Sequence, residues 1–125
     1  MAEEQTAGVM ALMRLPIGPI LAGPESRAFL RATLDEAEAV ARAHGVALPT
    51  DCAARHFAMI SQSKPWTRSS MLSDVLAGRR LELDGFNGPV VRLGREHGVP
   101  TPANTAIYAA LKPFAEGRPE VPEAQ

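Results

Sequence analysis

The stretch that decides the fold is residues 69–104, which read SSMLSDVLAGRRLELDGFNGPVVRLGREHGVPTPAN. Start and stop signals divide it into three segments: a short helix that breaks at Gly78, a second that stops at Gly98, and a third that opens at Thr101. Pro89 either kinks the second helix or separates two helices, and we expect a kink. The side chains of this helix recur every three or four residues as one stripe against a core: Leu83, Phe86, Val90, Leu93 and then His97.

Helical patterns elsewhere predict an all-α fold, a compact bundle of about six helices. Aromatic residues make up only 5% of the chain, which favours helices over a β-sandwich. We expect residues 1–117 to form one domain and residues 118–125, which hold acids and prolines, to form a flexible tail. The other predicted helices are residues 4–15 (with Val9, Leu12 and Met13 on one side), 24–44, 50–63 and 102–115, and residues 16–21 form a tight connection.

Two helices end on the same signal, His-Gly-Val, at residues 44–46 and 97–99. Glycine supplies a left-handed cap and valine folds back as a hydrophobic contact. We therefore interpret His44 and His97 as helix-end residues rather than as catalysts or ligands, and His56, in mid-helix, as structural. The candidate N-caps are Thr50 and Asp51 for one helix and Ser69 and Ser70 for another.

Charge and composition argue against several classes of function. A net charge of −1 and a pI near 6.3 give no electrostatic basis for binding nucleic acid or an anionic membrane. No apolar run approaches the length of about 18 residues that spans a membrane, and Glu3 and Glu4 precede the first apolar run, unlike in a signal peptide. We expect a cytoplasmic protein. The single Cys52 supports neither a disulfide nor a zinc cluster, so no metal site is predicted.

Sequence motifs for nucleotide and metal chemistry are absent: the chain contains no G-x-G-x-x-G, no P-loop and no H-E-x-x-H. Glu82 begins a helix, where a carboxylate ordinarily complements the helix dipole. Residue patterns alone therefore predict a helical domain without an assigned reaction.

Three linked blocks within residues 69–104 nevertheless resemble the signature of the C-terminal helical domain of ketopantoate reductase (2-dehydropantoate 2-reductase). They are S-S-M-L-x-D from residue 69, A-G-R-R-x-E-x-D from residue 77, and N-G-x-V-V-R-L-G-R-E-x-G-V-P-T-P-x-N from residue 87. The resemblance extends back through LPIGPILAGPESRAFLR and VARAHGVALP and forward to about Lys112. It implies a fold like the C-terminal domain of 6-phosphogluconate dehydrogenase.

In that family a separate Rossmann domain holds NADPH. The substrate, ketopantoate, is reduced to pantoate in pantothenate biosynthesis and lies in the cleft between the two domains. The resemblance implies that Glu82 is the active-site glutamate, which helps to bind substrate and cofactor, and that Ser70 contacts the ketopantoate carboxylate. Arg80, Asp84 and Asn87 belong to the same signature, and we expect them to serve packing and helix-end hydrogen bonds.

The sequence also departs from the family. The position of the family's general-acid lysine falls just before Met1, and the family's asparagines appear here as Glu3, Ala7 and Thr67. These 125 residues hold no Rossmann half, so we expect the chain to bind no cofactor alone and to need a Rossmann-domain partner chain for reduction.

Whether the chain is itself an enzyme therefore stays open. The alternative is a non-catalytic helical dimerisation or interaction module, in which a homo-oligomer or another protein covers the former cleft face. A weaker alternative is a binder of small 2-oxo acids that uses Ser70 and Arg68.

Overall fold

The computed structural model describes residues 2–124, so Met1 and Gln125, which belong to the expected domain and tail, lie outside the described residues. The described chain is an all-α bundle without strands, as predicted. Residues 118–124 form no helix, and their flexibility stays a prediction. The elements are α1 (Ala2–Met13), α2 (Ile17–Ala22), α3 (Pro24–Ala43), α4 (Cys52–Ile60), α5 (Ser70–Ala77), α6 (Leu83–His97), α7 (Pro102–Leu111) and a closing 3-10 turn (Lys112–Phe114).

Helix α2 occupies the segment for which the sequence predicts only a tight connection. It places Ile17 and Ile20 in the core, where both are fully buried. The loop before α5 accepts the first N–H groups of α2. The N–H of Ile17 donates to the carbonyl of Thr67 at 3.0 Å, and the N–H of Gly18 donates to that of Pro65 at 2.9 Å. A Cβ at Gly18 would lie 2.8 Å from the Pro65 oxygen, so glycine permits this close approach.

Helix α1 lies at the centre of the bundle. The sequence suggests one buried side, but residues 5–11 are all buried, and α1 packs against α3, α5, α6 and α7. A helix that is surrounded in this way has no solvent face, so the one-sided expectation is wrong. At Gly8 the packing is closest, since a Cβ there would overlap the Asn87 amide oxygen and lie 3.1 Å from Ile107.

Helix α3 shows the predicted amphipathic pattern, and two of its glutamates bind the starts of other helices. The Glu36 carboxylate accepts the N–H of Ala103 at 2.8 Å and that of Asn104 at 2.9 Å, at the start of α7. The Glu38 carboxylate accepts the N–H of Ala53, at the start of α4. The first N–H groups of a helix have no partner within it, so each glutamate caps a neighbouring helix.

The cap of α4 corrects a sequence-based prediction. Asp51 is the N-cap residue, but it has a φ of 55° and its side chain makes no capping hydrogen bond. Glu38 takes the role that was expected of Thr50 and Asp51. The N–H of Ala53, and then the guanidinium of Arg42, hold the pKa of the Glu38 carboxyl below its usual value.

Helix α6 continues through Pro89 as a single helix, so the alternative of two helices is wrong. The predicted glycine caps are confirmed: Gly45 has a φ of 88° and Gly98 has a φ of 67°, both in the left-handed region. These stops bring the C-terminal ends of α3 and α6 together, with the His44 and His97 rings in contact.

Candidate functional site

Ser70 lies at the N-terminal end of α5, directly after Ser69, which caps this helix. The Ser69 hydroxyl is the N-cap and accepts the N–H of Leu72 at 3.1 Å, which confirms one of the two candidate caps. Ser70 is the first helical residue and is exposed. Its hydroxyl makes no hydrogen bond within residues 2–124, so it is free to bind a ligand.

Glu82 lies at the N-terminal end of α6. It is the N-cap residue by position, but its side chain makes no capping hydrogen bond, and the carboxylate is exposed. No ion pair or hydrogen bond engages this carboxylate within the described chain. It therefore has the freedom that a ligand-binding carboxylate needs.

The structure does not join Ser70 and Glu82 in one hydrogen-bonded cluster. Ser70 starts α5, whose eight residues rise by about 12 Å, and Glu82 follows beyond the Gly78 turn at its other end. No hydrogen bond links the two side chains among residues 2–124.

A cavity of about 260 Å³ lies at the N-terminal end of α5, next to Ser70 in the chain. It brings together Arg68 with Glu3 and Thr67, two positions at which the resemblance implies asparagine. The Arg68 guanidinium in the lining suits a carboxylate ligand, whereas Ser70 follows the lining residue Ser69 in the chain and is not itself part of the lining. The lining residues are Glu3, Thr6, Met10, Ile17, Ile60, Ser63, Thr67, Arg68 and Ser69.

Glu3 works against an anionic ligand in this cavity. The resemblance implies a neutral amide at this position, whereas a carboxylate and an anionic ligand in one cavity would repel each other. Arg68 supplies the opposite charge in the same lining. The cavity therefore balances one acid against one base, and this differs from the amide-lined site that the resemblance implies.

Two asparagines of the signature are structural. Both are fully buried, and Asn87 donates to the Asn104 side-chain oxygen at 2.9 Å. Asn104 in turn donates to the Thr33 carbonyl at 3.1 Å and to the Glu36 carboxylate at 2.9 Å. This network joins α3, α6 and α7, which agrees with the packing role expected of Asn87. Sequence reasoning missed Glu36, because it lies 67 residues before the first N–H that it accepts.

Asp84 and Arg80, the other polar signature residues, are also engaged. The Tyr108 hydroxyl donates to Asp84 at 2.7 Å, and the Lys112 ammonium lies 3.6 Å away. The Tyr108 hydrogen bond, followed by the charge of Lys112, lowers the pKa of the Asp84 carboxyl. Arg80 lies 3.5 Å from Glu116. Asp84 thus connects α6 to α7, whereas Ser70 and Glu82 have no side-chain partner among residues 2–124.

Residues 2–124 show neither a metal site of three or more ligands nor a helix that could cross a membrane. Among residues 2–124, no group of three or more His, Cys, Asp or Glu side chains is arranged to hold a metal ion. Over the same residues, no helix combines the length and hydropathy needed to cross a membrane. The three histidines lie where the sequence placed them, two at helix ends and His56 within α4.

Known proteins match most of this chain. Residues 5–115 match the family described as ketopantoate reductase PanE/ApbA C terminal. A 2-dehydropantoate 2-reductase from Caulobacter vibrioides is 38% identical over 108 residues, which are 86% of this chain and 37% of that protein. The chain spans about a third of the length of such curated relatives.

Solved structures agree in fold. A dimeric ketopantoate reductase from Staphylococcus aureus matches 91% of this chain, and 40% of its own, with a TM-score of 0.82 at 25% identity. A PanE/ApbA family ketopantoate reductase from Ralstonia eutropha JMP134 matches 91% of this chain, and 39% of its own, with a TM-score of 0.79 at 34% identity. With its helices, its signature and most of its length accounted for, the chain belongs to the ketopantoate reductase PanE/ApbA C-terminal family.

Proposed function

We propose that this chain is the substrate-side domain of an NADPH-dependent 2-dehydropantoate 2-reductase, which reduces ketopantoate to pantoate. One observation carries the proposal. Asn87, Asn104 and Asp84 of the signature are engaged within the bundle, whereas Ser70 and Glu82, at the starts of α5 and α6, keep exposed side chains that have no partner among residues 2–124. The exposed side chains of Arg92, Arg95 and Glu96 are equally free, but they lie in the second half of α6. Polar groups without a role in the fold are those that a ligand can use.

The residues described here do not fit the cofactor by themselves. A nicotinamide dinucleotide binds at the edge of a parallel sheet, and residues 2–124 contain only helices and connections. The nucleotide must therefore bind to a Rossmann domain, and we propose that the chain is not competent for reduction without one. That domain can lie in a partner chain, as the sequence analysis suggests.

The chain's own residues would bind and orient the substrate. The Ser70 hydroxyl would donate to the carboxylate of a 2-oxo acid, and the Arg68 guanidinium would add charge at the same end of α5. The Glu82 carboxylate would accept from a hydroxyl of the substrate or the cofactor. Such contacts hold the ketone carbon in position for reduction.

A chimaera tests this function. Residues 2–124 would replace the matching C-terminal part of the Caulobacter vibrioides reductase, whose remainder would supply the missing domain. We expect NADPH oxidation that depends on 2-dehydropantoate and that falls at least about tenfold in Ser70→Ala and Glu82→Gln. The matched control is His56→Ala, which lies within α4 and should retain the rate. A folded chimaera with no rate above that of the Caulobacter remainder alone would contradict the proposal.

A second candidate is the non-catalytic interaction module. Met59 and Trp66 are large apolar side chains with 69% and 71% of their surface exposed, and exposed aromatic residues are typical of binding surfaces. Sedimentation over a range of concentrations would test self-association. A monomer at every concentration, with Trp66→Ser unchanged, would exclude the homo-oligomer.

A further inference from the structure

His44 and His97 meet at the ends of two helices, and nothing in the proposed function uses them. His44 is the C-cap of α3, and His97 is the last residue of α6. His44 Nδ1 lies 2.9 Å from His97 Nε2, the ring centroids are 5.1 Å apart, and the ring planes are inclined by 62°. Both residues are exposed, so a solute can reach the pair.

The surrounding backbone favours a cation at this point. The C-terminal end of a helix carries partial negative charge because its last carbonyls have no helical partner. Helix α3 has 20 residues and α6 has 15, and both end here. Arg42 and Arg95 lie in the last turns, but Arg42 is turned to Glu38, Leu48 and Pro49 by hydrogen bonds of 3.2, 3.4 and 2.7 Å.

The spacing of the two nitrogens matches that of ligands on one metal ion. Two imidazole nitrogens, each about 2.0–2.1 Å from the same ion, lie about 2.9–3.4 Å apart when the angle at the metal is about 90–109°. The observed separation of 2.9 Å is at the short end of that range. In the hydrogen-bonded pair the two nitrogens point at each other across ring planes inclined by 62°, so binding requires both side chains to rotate until both lone pairs point at one ion.

We propose that His44 Nδ1 and His97 Nε2 form a two-histidine site for a divalent transition-metal ion that prefers imidazole, such as Zn²⁺, Ni²⁺ or Cu²⁺. Such a metal needs the lone pair of each nitrogen. The proton that one ring holds between them moves to that ring's other nitrogen, so neither ring loses a proton overall. No third His, Cys, Asp or Glu completes the site within residues 2–124, and water fills the remaining positions.

A bound ion would link the C-terminal ends of α3 and α6 and so stabilise the folded state. The test uses the full chain without a histidine tag, after removal of metal by a chelator, and titrates it with ZnCl₂ in a calorimeter. At a ZnCl₂ concentration of about 100 times the dissociation constant, we expect the melting temperature to rise by about 5 °C or more. MgCl₂, a hard ion that prefers oxygen ligands, should leave it unchanged.

His44→Ala and His97→Ala should each weaken Zn²⁺ binding at least tenfold, and His56→Ala is the matched control within α4. Equal binding by the wild type and the first two variants, or a loss confined to His56→Ala, would overturn the proposal. Proton NMR of the wild type gives a readout that needs no variant. ZnCl₂ should shift the ring signals of His44 and His97 but not those of His56, and the absence of such shifts would likewise overturn it.

Discussion

The family signature divides into a buried region and an exposed one, and the two regions differ in what holds their polar groups. In the buried region, Asn104 binds Asn87 and the half-buried Glu36 of α3, and Glu36 also binds the start of α7. In the exposed region, Ser70 and Glu82 stand at helix starts without a partner in the described chain. A shared sequence signature therefore mixes residues that build the bundle with residues that are free for a ligand.

Burial explains the difference. A polar group that is removed from water without a hydrogen bond costs about 1–3 kcal/mol, so a buried amide must be nearly satisfied for the helices to pack. Asn104 meets this requirement with three partners, Asn87, Thr33 and Glu36. Asn87 donates to Asn104, but its own buried side-chain oxygen has no partner among the described residues. An exposed hydroxyl or carboxylate keeps water as its partner and costs nothing when no ligand is bound.

The largest effect is expected from Asn104→Ala. The substitution removes the partner of Asn87 and one partner of Glu36, and it leaves a cavity between α3, α6 and α7. We expect the free energy of unfolding to fall by about 3–4 kcal/mol, measured by urea denaturation. Ser70→Ala is the control from the exposed region. A loss below about 1 kcal/mol for Asn104→Ala would mean that the network is not what joins these helices.

A second test concerns how closely α1 and α6 pack around the buried asparagine. A Cβ at Gly8 would overlap the Asn87 side-chain oxygen, so we expect Gly8→Ala to destabilise the fold by about 2–3 kcal/mol. Gly85 is the matched control, since it lies in α6 and a Cβ there meets nothing within 4 Å. Gly85→Ala should instead stabilise by about 0.5–1 kcal/mol through helix propensity. Thermal unfolding should show a lower melting temperature for Gly8→Ala and a higher one for Gly85→Ala. Equal changes in the two variants would contradict the close packing of α1 against α6 at Gly8.

The sequence predicts well those features of the fold that depend on residues close together in the chain. The glycine stops and the Ser69 cap follow from spacing over a few residues, and they are confirmed. The predicted inward stripe of α6 is right for Leu83 and Val90, which are buried, and wrong for His97, which is exposed. The sequence does not predict contacts between distant residues. Glu36 and Ala103 are 67 residues apart, and His44 and His97 are 53 apart. Such pairs depend on how the helices pack, which no local pattern records.

The candidate site is less predictable still. Spacing alone assigns Glu82 to the helix dipole, and only the family resemblance gives it a ligand-binding role. The structure adds that its carboxylate makes no capping hydrogen bond. The cavity that joins Glu3, Thr67 and Arg68 collects residues from α1 and from the loop before α5, and so it depends on tertiary packing.

The Glu38 cap between α3 and α4 lies outside both regions and gives a pH-dependent test of a half-buried carboxylate. The N–H of Ala53 lowers the pKa of Glu38 in the folded state, so its stabilising effect is complete above the unfolded carboxyl's pKa of about 4.3. The effect is lost as the pH falls through the lower folded pKa. We expect Glu38→Gln to cost at most about 1 kcal/mol at pH 7 and the difference from wild type to shrink towards pH 3. A difference that is constant between pH 7 and pH 3 would exclude the carboxylate cap.

The smallest effect on stability is expected at the proposed ligand contacts themselves. Ser70→Ala and Glu82→Gln remove no hydrogen bond within residues 2–124, so each should change the free energy of unfolding by less than about 0.5 kcal/mol. Urea denaturation measures this, with Asn104→Ala as the reference from the buried region. If either substitution costs more than about 1 kcal/mol, its side chain supports the fold, and any loss of turnover in the chimaera would then have a structural cause. Unchanged stability together with a lower kcat/KM would separate the two regions, because the same side chain would then matter for the reaction and not for the bundle.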